Sequence, residues 1–188
     1  QIGDLVDYIR FPHNRNPQEK IECAGGRNFL SATHTGQKAE MIALARESVH
    51  SHMPVQHWMF SWQESEQPTR EQVEELVDVF LERMGLTGHQ TVYGLHYDTD
   101  NYHLHIAVNR MNPDSGKVVQ PHRGFDIREA HKIVVFIEQK QGWAGEENSM
   151  YAVLEDGELV RRRTAREIKP RQAALDFEHA TGEKSAQR

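Results

Sequence analysis

A chain of 188 residues with 22 Lys and Arg, 28 Asp and Glu and a formal net charge of −6 has the size of one domain with room for a short appendage. No apolar run approaches the ~18–20 residues of a membrane span and no signal-peptide pattern opens the sequence, so membrane insertion is not expected. The single cysteine, Cys23, excludes an internal disulfide and a cysteine-based zinc finger, and suits a cytosolic compartment.

In chain order, Gly3-Asp-Leu-Val-Asp-Tyr8-Ile-Arg10 reads as a short amphipathic helix, followed by a polar, proline-containing loop over residues 11–17. The chain starts at Gln1 without a Met, and the expectation is that a native first segment is missing. A strand is expected over residues 20–23, broken by Gly25-Gly26. Residues 37–50 read as a helix, with Met41, Leu44, Ala45 and Val49 at helical spacing. Residues 55–62 alternate as a strand, with Trp58, Phe60 and Trp62 on one face and His57, Met59 and Ser61 on the other. Thr69-Arg-Glu-Gln72 is a capping-box start for a helix to Met84. Its apolar stripe is Val73, Leu76, Val77, Phe80 and Leu81, and Gly85 is its stop.

Residues 92–98 and 103–110 then alternate with period two, and Asp98-Thr-Asp-Asn101 supplies turn residues between them. Paired as an antiparallel hairpin with His96 opposite His105, Asp98 lies opposite His103 and all four share a face. Directly opposed Cβ atoms sit roughly 4.5–5.5 Å apart, close enough for one divalent ion to gather His96, His103 and His105 at about 2.0–2.2 Å. Asp98 is left to orient a ligand histidine through its other ring nitrogen. A lone histidine in a strand is usually solvated or hydrogen-bonded. Here Leu104, Ile106 and Val108 take the opposite face, so the histidines are not core filler. An open three-histidine site leaves coordination positions vacant and favours catalysis over a structural metal.

After the hairpin come a turn at Asn112-Pro-Asp-Ser-Gly116, a short strand near Val118-Val119, and an amphipathic helix over 125–141 ended by Gly142. The fold class is α+β: an antiparallel sheet with helices packed on its apolar face and the other face free for the site. Residues 1–145 are expected to form the core and 146–188 a C-terminal extension. In that extension Arg161, Arg162, Arg163, Arg166 and Lys169 meet one acid, Glu167, which makes either a solvated surface or a phosphate-contacting arm.

The hairpin resembles the third signature motif of the MobP class of conjugative and mobilisation relaxases, in the HUH endonuclease superfamily. That motif is His-x-Asp-x-x-Asn-x-His-x-His with an Asn four residues later, matched by His96, Asp98, Asn101, His103, His105 and Asn109. The N-terminal helix is similar to the first motif, Phe-x-x-Leu-x-x-Tyr-Ile, in which the tyrosine is the nucleophile. The leading aromatic is not matched, Ile2 and Gly3 standing there. Without the hairpin Tyr8 is an ordinary helix residue; with it, Tyr8 is the leading candidate. Tyr93, Tyr97 and Tyr102 face away from the histidines, and Tyr151 has no motif around it. His57 and Ser61 resemble the second motif, a His-x-x-x-Ser strand that helps hold DNA near the cut; a core strand that carries a serine is the alternative. Asp176-Phe-Glu-His-Ala-Thr-Gly-Glu-Lys-Ser185 resembles a segment just beyond the nuclease core. The class usually carries a strand before the tyrosine helix, which here is missing or lies outside the sequence.

The resemblance implies nicking of single-stranded transfer-origin DNA by transesterification, with Tyr8 forming a 5′-phosphotyrosyl link and freeing a 3′-hydroxyl. It implies one divalent ion, which imidazole ligands leave open among Mg, Mn and Zn. Asp98 is general base or orienting carboxylate. Asn101 and Asn109 are hydrogen-bond partners of the site, Asn101 equally well a turn residue. Ser61, His57, Asn101, Asn109, Arg161, Arg162 and Arg163 are the expected DNA contacts. The implied setting is the bacterial cytoplasm, as a monomer acting with relaxosome accessory proteins and a coupling protein. The net charge of −6 runs against tight non-specific DNA binding. Twelve histidines and a bound cation soften this, and Glu71, Glu74, Glu75 and Asp78 are expected to face away from the site. Three alternatives stand: a rolling-circle replication initiator, which more often carries its tyrosine after the histidines; a metal-dependent small-molecule hydrolase or oxygenase; and a catalytically silent DNA-binding module.

Overall fold

The computed structural model describes residues 1–15, 17–48, 53–97, 101–119, 125–146, 149–154 and 156–162. They fall into two compact units, residues 1–144 and the residues from 145 onward. In the first unit the elements run α1 (Ile2–Arg10), a 3-10 turn (Pro12–Asn14), β1 (Lys20–Arg27), α2 (His34–Arg46), β2 (Val55–Ser61), α3 (Arg70–Arg83), β3 (Thr91–Tyr97), β4 (Tyr102–Asn109) and α4 (Phe125–Gln141). The second unit holds a short antiparallel hairpin, β5 (Tyr151–Val153) and β6 (Leu159–Arg161).

Four antiparallel strands form one sheet in the order β1-β3-β4-β2. Period-two alternation sorts its side chains. Tyr93, Leu95, Leu104, Ile106 and Val108 join Phe60 on one face, where Val73, Leu76, Val77 and Phe80 of α3 and Ile133 and Ile137 of α4 cover them. Helix α3 starts in the capping box expected of Thr69 and Gln72, both reciprocal bonds being present. It carries Glu71, Glu74, Glu75 and Asp78 on the side of the sheet away from the histidines. Gly142, at φ +77, follows the last residue of α4.

The α+β class and the antiparallel sheet are as expected, but the helices are not confined to one face. Val6 and Ile9 of α1 and Met41 of α2 pack with Val92 and Ala107 on the histidine face. Only part of that face is therefore open. Helix α2 begins three residues earlier than its apolar spacing suggests. The Thr33 side chain caps it by accepting from the Gly36 N–H, and it ends at Arg46, with Val49 outside the described residues.

Gly25-Gly26 does not break β1, which runs through both to Arg27. Gly25 pairs with Tyr93, and a Cβ there would lie 2.1 Å from the Tyr93 hydroxyl oxygen. The glycine makes room for the ring, a close approach rather than a break. Near Val118 there is an isolated bridge to Met111 in place of a strand. Among the described residues no helix is long and apolar enough to cross a membrane.

Candidate active site

The site begins with how α1 is seated. Gly94 of β3 has no side chain, and the C-terminal turn of α1 takes the space: a Cβ there would lie 2.2 Å from the Ile9 carbonyl oxygen. Polar ties fix the helix from its other sides. Arg10 donates to the Gly25 carbonyl at 2.9 Å and to Gln37 Oε1 at 2.6 Å. Asp7 is bonded by Lys38 and, at 2.9 Å, by His34 Nε2, both on α2. The Lys38 hydrogen bond, with the one from His34, holds the Asp7 carboxyl below its ordinary range despite partial burial.

This seating places Tyr8 against the sheet. Its ring meets His96 edge-on at 5.1 Å and His105 at 5.3 Å between centroids. Its hydroxyl donates to Glu19 Oε1 at 3.0 Å. Glu19 is buried, 8 % exposed, just ahead of β1. The same Oε1 lies 2.8 Å from His96 Nδ1, while His96 Nε2 donates to the Ile9 carbonyl at 2.9 Å. Tyrosine and histidine thus converge on one carboxylate oxygen of Glu19. Outside them, the Arg15 guanidinium stands 5.8 Å from the Tyr8 ring centre.

His96 and His105 lie 4.5 Å apart between ring centroids. Burial, helped by His96, His57 and His103, pushes the His105 pKa down to about 3, which keeps its ring neutral. His105 Nδ1 is 2.9 Å from His57 Nε2 on β2, and burial also holds His57 below its ordinary value. His103 Nδ1 is 2.9 Å from Ser61 Oγ.

One oxygen and two ring nitrogens, from Glu19, His96 and His105, all lie within 4.8 Å of one another. A neutral imidazole beside a carboxylate is a donor set for a divalent cation. His96 Nδ1 and Glu19 Oε1 face each other at 2.8 Å, so a ring nitrogen and a carboxylate oxygen are turned to the same space. The residues present fit a metal.

The structure amends the expected geometry. His96 pairs with His103 and Gly94 with His105, so the strands sit two residues from the expected register. A shift of two leaves every side chain on its face, and the histidines still share one. The observed register aligns Tyr97 with Tyr102, their rings 4.6 Å apart, and Leu95 with Leu104. His103 is not in the compact donor set; Glu19 takes the third place. Asp98 and Arg163 lie outside the described residues.

Asn109 is wholly buried, accepting from the Met111 N–H and reaching Met41 O and Gln90 Oε1. Four residues along β4 from His105 it is ~14 Å from the histidine cluster, and its hydrogen bonds brace the sheet. Asn101 is half-buried at the turn, Ser61 is exposed on the edge strand, and Arg161 and Arg162 are exposed in the second unit. Cys23 faces the α3 side, and burial pushes its thiol pKa up.

Residues 8–143 match the family model of the relaxases, MobA/VirD2-like, nuclease domain. The chain belongs to this relaxase family. It is 52% identical over 151 residues to Protein MobA of Acidithiobacillus ferrooxidans, covering 79% of this chain and 37% of that protein. It is 31% identical over 125 residues to Protein TraI of Escherichia coli, covering 66% of this chain and 17% of that protein. The chain therefore spans well under two thirds of the length of these relatives. No solved structure matches it. The relaxase match opens at Tyr8 and closes at Trp143, so it takes in the nucleophile candidate, Glu19, all four histidines of the site and the whole sheet.

Proposed function

We propose that this domain nicks single-stranded transfer-origin DNA by transesterification on Tyr8, to start and end plasmid mobilisation or conjugation. One observation carries the reading: the Tyr8 hydroxyl donates at 3.0 Å to a buried carboxylate, Glu19, beside His96 and His105.

A free tyrosine titrates near about 10, so its proton must go somewhere as the oxygen attacks. Glu19 is within proton-transfer reach. The Tyr8 oxygen bonds to phosphorus, the bond from phosphorus to the 3′ oxygen breaks, and that oxygen takes a proton and leaves as a 3′-hydroxyl. The 5′ phosphate stays on Tyr8 as a phosphodiester, so a 3′-hydroxyl can reverse the step. A divalent cation held by Glu19, His96 and His105, with His103 across the strand pair as a further imidazole, would supply positive charge to the phosphate oxygens. A carboxylate has two oxygens, which lets Glu19 serve both tyrosine and cation. Arg15, exposed over the Tyr8 ring, meets a phosphate next to the cut. Arg161 and Arg162 are phosphate contacts of the second unit, and Asn101 borders the site at the turn.

The reading places the domain in the bacterial cytoplasm, as a monomer working with relaxosome accessory proteins and a coupling protein. The order of tyrosine before histidines and the relaxase match favour it over a rolling-circle initiator. Oligonucleotides labelled at one end or the other, incubated with Mn²⁺, test it. The label on the 3′ side of the cut is expected to shift to a protein-sized band and the other to a shorter free strand. Turnover of small phosphodiesters with no adduct would favour the hydrolase alternative, and binding with no cleavage the silent module.

A further inference from the structure

The ring nitrogens of the hairpin histidines are engaged by partners that come from two sides. His96 gives its Nε2–H to the Ile9 carbonyl, an atom that can only accept. That leaves Nδ1 turned to Glu19. The two histidines of β4 are engaged at the other nitrogen, Nδ1, and both partners come from β2. Ser61 sits directly across from His103 in the strand register. His57 sits across from Ala107, whose side chain has no polar atom, and reaches diagonally to His105. The spacing of four residues on one strand face thus delivers one polar group to each ligand candidate on the next strand.

We propose that His57 and Ser61 are positioning residues: each accepts the Nδ1–H of its β4 partner, holding His105 and His103 in the Nδ1–H tautomer with Nε2 presented as the ligand atom. The inference rests on the metal reading above and gives β2 a different task from gripping DNA. A histidine that binds a metal donates its other N–H to a fixed acceptor, which selects both tautomer and ring angle. Free histidine favours the Nε2–H tautomer, so an unanchored ring on β4 would have its proton where the lone pair is needed. Serine oxygen and a neutral imidazole nitrogen both accept. The edge strand and the nucleophile helix then set the three rings from opposite sides, β2 through Nδ1 of two and α1 through Nε2 of the third.

Two measurements on the whole chain test this. Long-range ¹⁵N–¹H correlation spectra of the metal-free protein are expected to show His103 and His105 as Nδ1–H and His96 as Nε2–H. Ser61→Ala is expected to turn His103 to Nε2–H, and His57→Leu to do the same to His105. Calorimetric titration with Mn²⁺ is expected to show binding ~10–100-fold weaker in both variants, with most of it restored in Ser61→Thr and His57→Gln, which keep an acceptor. Affinity for single-stranded DNA in EDTA should not change. Nε2–H tautomers at His103 and His105 in the wild-type protein overturn the proposal. So does unchanged Mn²⁺ affinity in both variants alongside weakened metal-free DNA binding. A wild-type protein that binds no Mn²⁺ overturns the metal reading itself.

Discussion

Alanine at Gly94 is expected to disable nicking while leaving the sheet folded. Gly94 lies on β3 opposite His105 and two residues before His96. A Cβ at this position would stand 2.2 Å from the Ile9 carbonyl oxygen, 3.0 Å from Ile21 Cδ1 and 3.3 Å from the Ile9 carbonyl carbon. The isoleucine tip can rotate away. The carbonyl cannot, because it belongs to the α1 backbone and also receives the His96 Nε2–H. Moving that oxygen to an ordinary contact of 3.4 Å requires a retreat of about 1.2 Å. The retreat pulls Tyr8, the preceding residue, from Glu19 and loosens His96. Overpacking of this kind costs about 1–3 kcal/mol, and a misplacement of ~1 Å at a reacting group costs roughly 100-fold in rate. Single-turnover nicking of a fluorescent oligonucleotide is the assay, with circular dichroism as the folding check. Gly88→Ala is the control, since a Cβ there meets nothing closer than Asn112 Nδ2 at 3.8 Å. A folded Gly94→Ala protein that nicks at the wild-type rate would refute the seating of α1 described here.

Glu19→Gln keeps the shape but removes the proton acceptor for Tyr8, so nicking should fall by ~10²–10⁴ with single-stranded DNA affinity retained; an unchanged rate would remove Glu19 from the chemistry. Burial holds buried His89 below its ordinary pKa of 6.5, its Nδ1 bonded to the Asn109 carbonyl at 2.7 Å. The folded state therefore keeps this ring neutral while the unfolded state takes a proton below about 6.5. Its contribution is present above that pH and lost as pH falls through it. Thermal melts from pH 8 down to pH 5 should show falling stability, with a shallower fall in His89→Gln; an equal slope would contradict the assignment. His105 and His57, shifted the same way, keep the slope from vanishing. With its thiol pKa raised by burial, Cys23 should react slowly with a thiol reagent at neutral pH and quickly in denaturant, and fast reaction of the folded protein would contradict its placement.

Local patterns carried far in this chain. The Thr69 and Gln72 capping box, the limits of α4 and the alternation of β2 and β4 all act within a few residues, and each stands as expected. The hairpin's faces were legible because side-chain parity survives a shift of two residues. Its register was not, because Tyr97 facing Tyr102 is a contact that alternation does not rank above its neighbours. Gly25-Gly26 looked like a break because glycine is a poor strand former in isolation; the reason for the glycine, the Tyr93 ring, is sixty-eight positions along the chain. Glu19 escaped for a similar reason. It stands alone in a polar loop, and only pairing of β1 with β3 brings it to His96. The one cue was an acid directly before a strand whose partner carries a histidine, and that needs the strand order first. The β5–β6 hairpin had a plain cue in Asp156-Gly157 between short apolar runs, obscured by the basic stretch that follows. Asn109 fits the motif by spacing, yet its burial makes it a brace.

The nucleophile is the centre of the mechanism, and one measurement reaches it directly. The chain is incubated with a single-stranded transfer-origin oligonucleotide and Mn²⁺, digested with protease and nuclease, and the nucleotide-bearing peptide sequenced by mass spectrometry. The expected adduct is on Tyr8, absent from Tyr8→Phe, with that variant's DNA affinity close to wild type. An adduct on Tyr93, Tyr97, Tyr102 or Tyr151, or one that persists in Tyr8→Phe, would contradict it.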